Sequence, residues 1–410
     1  MRLGLGSKKH ICVKDWPLLS THEVARSSLL IKALLSLGLE GATAVPLDLA
    51  SWQAAWPELH SERMAGLALG ALKASEADLG ESISRKLLMA ATADTANALH
   101  VETTAAPVLE ALSLRHPPLV FKGPASASLY EELSWRPFRD IDILIEPTEL
   151  GFVKDILGRH GFGPPMSGML PWDSFGRLCI EGHNWTADGS VSIDIHHHVP
   201  PWKLGAQLSA AGVRGRASLG KVAGVPVLFP SDADSLVIVA LHVVNDCYKG
   251  TPSLVSWGDL ARLGHRFSQE ERRDIFARKG LAVLGCAVER SLATLSQDPK
   301  WPFRAVGWPG RRSEALRLKA LGWGNSGSLA RHPSGWAARL PIPNAGLFLA
   351  GSLVPSPKYI RMRQGSYLRY WGQCMQTVSA VLSGQDLRRS DLGHETWRNH
   401  REEKKGAVVS

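Results

Sequence analysis

The sequence feature that most constrains the fold is a short strand-like segment at 140–145, which reads DIDILI. Side chains alternate along a strand, so Asp140 and Asp142 share one face and the three isoleucines share the other. Two neighbouring carboxylates repel each other and lose hydration on burial. A divalent cation offsets this penalty, since Mg²⁺ binds a few carboxylates together with substrate phosphates. The segment therefore favours a metal site. The alternative is the end of a strand with two solvated aspartates.

An anion site is predicted directly before this strand. Residues 119–121 read as an apolar strand, followed by a turn at Lys122-Gly123. Pro124 suits the first position of a helix over 125–133, because its missing N–H would have no partner there. The N-terminus of a helix after a glycine turn attracts anions through free N–H groups and the helix dipole. The predicted phosphate-binding residues are Lys122, Gly123, Ser126, Ser128, Arg136 and Arg139.

A third carboxylate is expected from a later strand. The segment 191–199 reads VSIDIHHHV and places Asp194, His196 and His198 on one face. A phosphate site, a pair of metal-binding aspartates and a third carboxylate are the groups expected for metal-assisted nucleotidyl transfer. The alternative is an iron or zinc site formed by Asp194 and two histidines. That alternative would leave the earlier aspartate pair unexplained.

Five short motifs carry a specific resemblance. They are Phe121-Lys122-Gly123, Leu129-Tyr130, Arg136-Pro137, Asp140-Ile141-Asp142 and Asp194-Ile195-His196. In these motifs the chain resembles the uncharacterised bacterial nucleotidyltransferase family of the polymerase-beta-like superfamily. The resemblance covers 115–200 and extends more weakly to the helical flanks, where His242 and the segment 259–263 match family features. Pro124 departs from the pattern, because the family more often has a small residue with an N–H at this position.

The resemblance implies a fold class and a set of roles. The expected fold class is α/β (α+β), with a small mixed-sheet nucleotidyltransferase core flanked by N-terminal and C-terminal helical regions. The implied catalytic residues and metal ligands are Asp140, Asp142 and Asp194, with Mg²⁺ or Mn²⁺ as the cofactor and an NTP, such as ATP, as co-substrate. The candidate supporting residues are His196, His198 and His242.

The predicted reaction moves an NMP group from the NTP to a hydroxyl or phosphate acceptor and releases pyrophosphate. Asp194 is the best candidate for the general base. The acceptor stays open, with a small molecule or a peptide natural product among the choices. One alternative is a catalytically silent nucleotide-fold binding protein. Another is an RNA-modifying or RNA-binding protein that uses the basic, tryptophan-rich segment 299–372, but nucleic acid is not the favoured partner because no known RNA-binding motif accompanies that segment.

Composition and motif content exclude several classes of protein but do not identify the partner. The formal net charge of +9 favours an anionic partner, such as a nucleotide, a phosphorylated substrate, nucleic acid or a membrane surface. The five cysteines are scattered singly, which disfavours a zinc ribbon or a redox pair. Neither a P-loop nor a dinucleotide-binding glycine motif occurs. We expect a cytoplasmic protein, since no signal peptide or membrane-spanning run is visible.

The chain divides into four predicted regions. Residues 1–112 form a helical N-terminal region, 113–230 the nucleotidyltransferase-like core, 231–385 a helical C-terminal region, and 386–410 a polar tail. The smaller elements expected within these regions are a long helix at 83–114, a helix at 149–161, a further strand at 222–228 and a helix from 231.

Two residues of the C-terminal region have open roles in the sequence. His242 stands alone on an apolar helix face, which is more typical of a core histidine than of a ligand. Asp259 follows Trp257-Gly258, and capping or packing is favoured over support of the site.

Overall fold

The computed structural model describes residues 10–12, 28–42, 45, 48–75, 80–163, 182–187, 191–249, 253–304, 308–311 and 314, with scattered positions between 354 and 375. The predicted tail at 386–410 and most of the segment 299–372 lie outside the described residues. Within these ranges the chain forms a mixed α/β fold, which confirms the predicted fold class.

The N-terminal region is helical, as predicted. Its helices in the described ranges are α1 (Leu29–Leu35), α2 (Leu49–Ser61), α3 (Ala65–Ser75) and α4 (Glu81–Ser113). Ser28 and Asp48 begin the first two helices, because each side chain accepts a hydrogen bond from a backbone N–H three residues on. The 33-residue α4 buries an apolar stripe at helical spacing, which includes Ala98, Val101, Ala105, Val108 and Leu112.

A six-stranded mixed sheet follows. Its strands are β2 (Leu119–Val120), β3 (Asp140–Leu144), β4 (Gly182–Ala187), β5 (Val191–His196), β6 (Ser218–Val222) and β7 (Val225–Phe229), in the spatial order β4-β5-β3-β2-β7-β6. The β3–β5 and β2–β7 pairs are parallel, whereas β2–β3, β4–β5 and β6–β7 are antiparallel. A separate antiparallel pair joins β1 (His10–Cys12) to β8 (Pro309–Arg311).

The remaining helices of the described ranges either connect strands of the sheet or follow its last strand in the chain. They are α5 (Pro124–Ala127), α6 (Leu150–Arg159), α7 (Trp202–Gly205), α8 (Ala210–Arg214), α9 (Asp232–Lys249), α10 (Val255–His265), α11 (Gln269–Arg278) and α12 (Ala282–Leu292). The predicted helices at 149–161 and from 231 correspond to α6 and α9. Gly161 ends the first of them with φ 81°, a backbone conformation that glycine adopts without strain.

The two faces of β3 meet different parts of the core. Ile141 and Ile143 are fully buried in a cluster that contains the apolar stripe of α4 and residues of α6. Leu144 belongs instead to the cluster that joins the N-terminal helices to α9, α10 and α12. Because side chains alternate along the strand, the aspartate face of β3 is directed towards α9 and α10. This arrangement positions the candidate site between the sheet and the C-terminal helices.

Two predicted elements differ from the structure. The helix expected over 125–133 is only the single turn of α5, followed by a 3₁₀ turn at Leu133–Trp135. The strand expected over 222–228 is a hairpin of β6 and β7. Its two-residue turn is Ala223-Gly224, with φ values of 47° and 82°. Positive φ at both turn residues matches the twist of an antiparallel pair, so the glycine reverses the chain there.

Candidate active site

Two parallel strands bring the predicted carboxylates together. Asp142 of β3 and Asp194 of β5 are direct register partners, and Leu144 pairs with His196. One ligand atom from each of Asp142, Asp194 and His196 lies within 4.8 Å of the other two. The spacing suits a single cation, because carboxylate and imidazole ligand atoms bind divalent metals at about 2.0–2.6 Å. The structure thus joins two predicted catalytic aspartates and one predicted supporting histidine.

Asp142 is the most enclosed member of this group, with a relative exposure of 3%. His196 Nε2 lies 2.9 Å from its Oδ1 atom, and Lys122 Nζ lies 3.6 Å from its Oδ2 atom. Burial alone would raise the pKa of Asp142, but the Lys122 ammonium and the His196 hydrogen bond outweigh burial and hold the pKa below its usual value. The Oδ2 atom accepts no hydrogen bond from the described residues.

The pKa of Asp140 is shifted in the opposite direction. Burial first, and then repulsion by Asp142, raises the pKa of Asp140 to about 6, against a smaller opposing effect of Lys122. The two carboxylates therefore repel each other along one face of the strand. A bound cation would offset that repulsion.

Asp194 is held by polar neighbours on its own strand and on β4. Ser192 Oγ donates to Asp194 Oδ1 at 2.9 Å, and Asn184 Nδ2 donates to the same oxygen. Asn184 is the register partner of Asp194 across the β4–β5 pair. These bonds fix the orientation of the carboxylate and leave its second oxygen for another partner.

The glycine turn packs directly against β3. Gly123 has φ 62°, and a Cβ atom at this position would stand 2.4 Å from the Asp140 carbonyl oxygen. Pro124 occupies the first turn of α5, as predicted, and Gly123 is the N-cap. Since α5 is a single turn of four residues, its dipole is much smaller than that of the predicted helix.

The predicted phosphate-binding residues separate into two groups. Lys122, Gly123, Arg136 and Arg139 line a cavity of about 590 Å³ that also contains the carboxylates. Ser126 and Ser128 of the turn are not among the lining residues. Ser126 is buried, and the exposed Ser128 hydroxyl donates to the Ala125 carbonyl at 2.7 Å.

Arg136 is engaged by an acidic partner from α10. Its Nε and Nη2 atoms donate to the two carboxylate oxygens of Asp259 at 3.0 and 2.9 Å, and the Tyr130 hydroxyl donates to Asp259 at 2.9 Å. Asp259 does not cap a helix, because it lies inside α10, and its exposure of 1% agrees with the other favoured interpretation, packing. It ties the loop before β3 to the C-terminal helices.

The other two predicted supporting histidines, His242 and His198, lie in different environments. His242 lines the cavity and pairs with Asp246 at 3.0 Å on the same helix, so its ring has a polar partner beside the otherwise apolar helix face. Burial and then the Lys122 charge lower the pKa of His242. His198 follows the end of β5, packs 4.9 Å from the His197 ring and is not among the lining residues. Burial lowers the pKa of His198 to about 4.

Arg63 and Asp246 are charged cavity residues that the sequence prediction did not include. Asp246 stands one helical turn after His242, so a local spacing signal existed for it. Arg63 carries no local signal, because it follows α2 far from the core in sequence.

The mixed sheet and its paired carboxylates, with a lysine beside them and helices on either flank, define the chain as an α/β protein of the nucleotidyltransferase class. The chain belongs to a family of uncharacterised nucleotidyltransferases, whose family profile matches residues 48–295. The predicted family is thereby confirmed. No curated protein matches the chain. In the described part of the chain, no helix has the length and apolarity needed to cross a membrane.

Proposed function

We propose that the protein transfers an NMP group from an NTP to a hydroxyl or phosphate acceptor, with a divalent metal bound at Asp140, Asp142 and Asp194. The observation that carries the proposal is the register of Asp142 with Asp194 on adjacent parallel strands, beside Asp140 and Lys122. Family membership supports nucleotidyl transfer as the reaction type. A small molecule or a peptide is the proposed acceptor, because the cavity of about 590 Å³ suits a nucleotide together with a modest second group.

The residues fit a hard divalent ion. Carboxylate oxygens are the ligands that Mg²⁺ and Mn²⁺ prefer, and the buried Asp142 Oδ2 lacks a hydrogen bond from the described residues. His196 already contacts Asp142 through Nε2, so we assign it to orienting this carboxylate. When bound, the ion supplies charge that stabilises the developing phosphoryl anion and lowers the pKa of the acceptor hydroxyl.

Other side chains have roles in proton transfer and charge balance. Asp194 is the proposed general base for the acceptor hydroxyl, and Ser192 and Asn184 hold it in one orientation. Lys122 balances the charge of Asp142 before the nucleotide binds. The pair of His242 and Asp246 lies at the α9 wall of the cavity and is proposed to contact the acceptor.

The test is to incubate the purified protein with each of the four NTPs and Mg²⁺ or Mn²⁺. Mass spectrometry would follow the intact protein and small-molecule products, and pyrophosphate release would be measured in parallel. We expect release to fall by more than about 100-fold in Asp142→Asn, since even loss of an outer hydrogen-bond partner of a ligand costs up to about that much. Asp155→Asn, on the exposed face of α6, is the matched control and should retain activity.

The outcomes separate the classes of function. Pyrophosphate release that disappears in Asp142→Asn and persists in Asp155→Asn would support nucleotidyl transfer and give the base preference. Nucleotide binding that is unchanged in Asp142→Asn and shows no metal dependence would contradict the assigned site. Absence of NTP binding by the wild-type protein would favour a catalytically silent scaffold.

A further inference from the structure

The wall of the cavity contains a guanidinium group, that of Arg63, with a buried nitrogen that lacks a hydrogen-bond partner among the described residues. Arg63 follows α2, and the buried nitrogen is its Nη1 atom. Arg139 also lines the cavity, and within the described ranges it forms no ion pair. By contrast, the third arginine of this wall, Arg136, is neutralised by Asp259.

The backbone of Arg63 is also held in an unfavourable conformation. Its φ of 57° lies in the left-handed region, which residues with a Cβ adopt at a cost and which glycine or asparagine adopts more readily. This conformation belongs to the end of α2, where the Arg63 N–H donates to the His60 carbonyl at 3.3 Å and the Met64 N–H donates to the Leu59 carbonyl at 2.8 Å. Glycine is the residue most often found at this position of a helix end, so the backbone alone does not account for an arginine there.

Contacts on both sides of Arg63 hold the end of α2 in place. The Glu62 carboxylate accepts hydrogen bonds from the Leu254 N–H at 2.8 Å and the Ser253 hydroxyl at 3.2 Å, which ties the end of α2 to the start of α10. On the other side, a Cβ atom at Gly66 would stand 1.8 Å from the Ser134 carbonyl oxygen, so α3 approaches the chain before β3 as closely as a glycine allows. Arg63 is thereby fixed between two contacts.

The charges around Arg63 indicate an anionic ligand. Burial lowers the pKa of Arg63, and repulsion from Arg139 and Arg136 adds to this effect, while Asp140 and Asp94 oppose it. Like charges gathered in a partly buried wall are stabilised when an anion lies between them. A guanidinium is suited to this role, because its planar fork matches two phosphate oxygens at once.

We propose that Arg63 and Arg139 bind the two phosphates of the nucleotide that depart as pyrophosphate. This inference rests on the proposed function. Arg63, Arg139 and the proposed metal ligand Asp140 all line this cavity. The departing phosphates are accordingly assigned to the two arginines, and the acceptor is assigned to His242 and Asp246, which line the cavity from α9.

The roles in the reaction follow from this placement. The acceptor oxygen forms a bond to the α-phosphorus, and the bond between that phosphorus and its bridging oxygen breaks. The electron pair of the broken bond stays with the pyrophosphate, whose added negative charge lies against Arg63 and Arg139. The acceptor proton passes to Asp194. The N-terminal helices thus contribute a substrate-binding residue to the site.

The test measures binding of inorganic pyrophosphate with Mg²⁺ by calorimetry, without turnover. We expect Arg63→Asn to weaken pyrophosphate binding by roughly 10- to 100-fold, the range for loss of a charge-assisted hydrogen-bonded pair. Asparagine suits the left-handed backbone, so the thermal midpoint should not fall. Arg63→Lys should recover part of the binding, and Arg278→Gln, an exposed arginine of α11 outside the cavity lining, is the charge-matched control.

The contrary results are distinct from one another. If Arg63→Asn binds pyrophosphate as tightly as the wild-type protein does, the inference is overturned and the proposed function still stands. A rise in the KM for the acceptor, with the KM for NTP and pyrophosphate binding unchanged, would reassign Arg63 to the acceptor and also overturn it. A wild-type protein that binds neither pyrophosphate nor any NTP would overturn both the inference and the proposed function.

Discussion

His196 Nε2 lies 2.9 Å from Asp142 Oδ1, across neighbouring strands of the sheet. The register of β3 and β5 makes this contact possible, because His196 pairs with Leu144 and its side chain reaches back one step along the shared face. The edge of the Phe121 ring packs against the imidazole at a centroid distance of 5.1 Å. His196 is therefore held by packing as well as by a hydrogen bond, which suits a residue that orients a metal-binding carboxylate.

We expect His196→Asn to raise the concentration of Mg²⁺ or Mn²⁺ needed for half-maximal activity by about 10- to 100-fold, because Asp142 loses its orienting partner. Saturating metal should recover much of the activity. Metal titrations of NTP turnover would measure the effect. The matched control is His198→Asn on the same segment, since His198 is not among the residues that line the cavity. Equal shifts in both variants would contradict the role of His196.

Gly123→Ala is expected to destabilise the fold and to reduce activity. Its φ of 62° costs an alanine about 1–2 kcal/mol, and the new Cβ would collide with the Asp140 carbonyl oxygen, which must then shift together with β3. Gly161→Ala is the matched control, because φ is 81° there and no atom lies within 4 Å of the added Cβ. Chemical denaturation of both variants measures their losses of stability, and the difference between the two losses reports the collision at Gly123. A loss in Gly123→Ala no larger than in Gly161→Ala would mean that the turn does not press on β3.

Local sequence patterns predicted the elements that carry the aspartates. Alternation identified β3 and β5, and the glycine stop with helical spacing identified α6. The assignment of a common face to Asp140 and Asp142 followed directly from strand geometry. The pairing of Asp142 with Asp194 did not follow, because strand order and register are set by contacts distant in sequence.

Two of the missed features also depend on contacts distant in sequence. The predicted helix over 125–133 ends after one turn, and Tyr130 beyond it hydrogen-bonds Asp259 of α10 at 2.9 Å, a partner more than one hundred residues away in the chain. The hairpin of β6 and β7 differs in having a local cause, because Gly224 supplies a turn inside the segment predicted as one strand. Arg63 reaches the site only through the packing of α2 and α3 against the core.

Asp259→Asn should lower the free energy of unfolding by about 3–5 kcal/mol, the usual cost of removing one partner from a buried ion pair. Arg136 would keep its charge with no carboxylate to neutralise it, at a pair whose side chains are 14% and 2% exposed. Urea denaturation would measure the loss. Asp155→Asn removes an exposed pair and should change stability by less than about 1 kcal/mol. Equal losses in the two variants would show that the Arg136–Asp259 pair adds nothing specific.

Glu62→Gln tests whether the corner at the end of α2 positions Arg63. The glutamine amide oxygen can still accept the hydrogen bonds from the Leu254 N–H and the Ser253 hydroxyl, but both bonds lose their charge-assisted character. We expect a loss of about 1–2 kcal/mol in stability and weaker pyrophosphate binding than in the wild type, though stronger than in Arg63→Asn. Glu110→Gln, on the exposed face of α4, is the matched control. The measurement is calorimetric titration of pyrophosphate with Mg²⁺, alongside denaturation. If binding stays at the wild-type level while stability falls, Glu62 supports the fold alone and Arg63 reaches its ligand without a rigid corner.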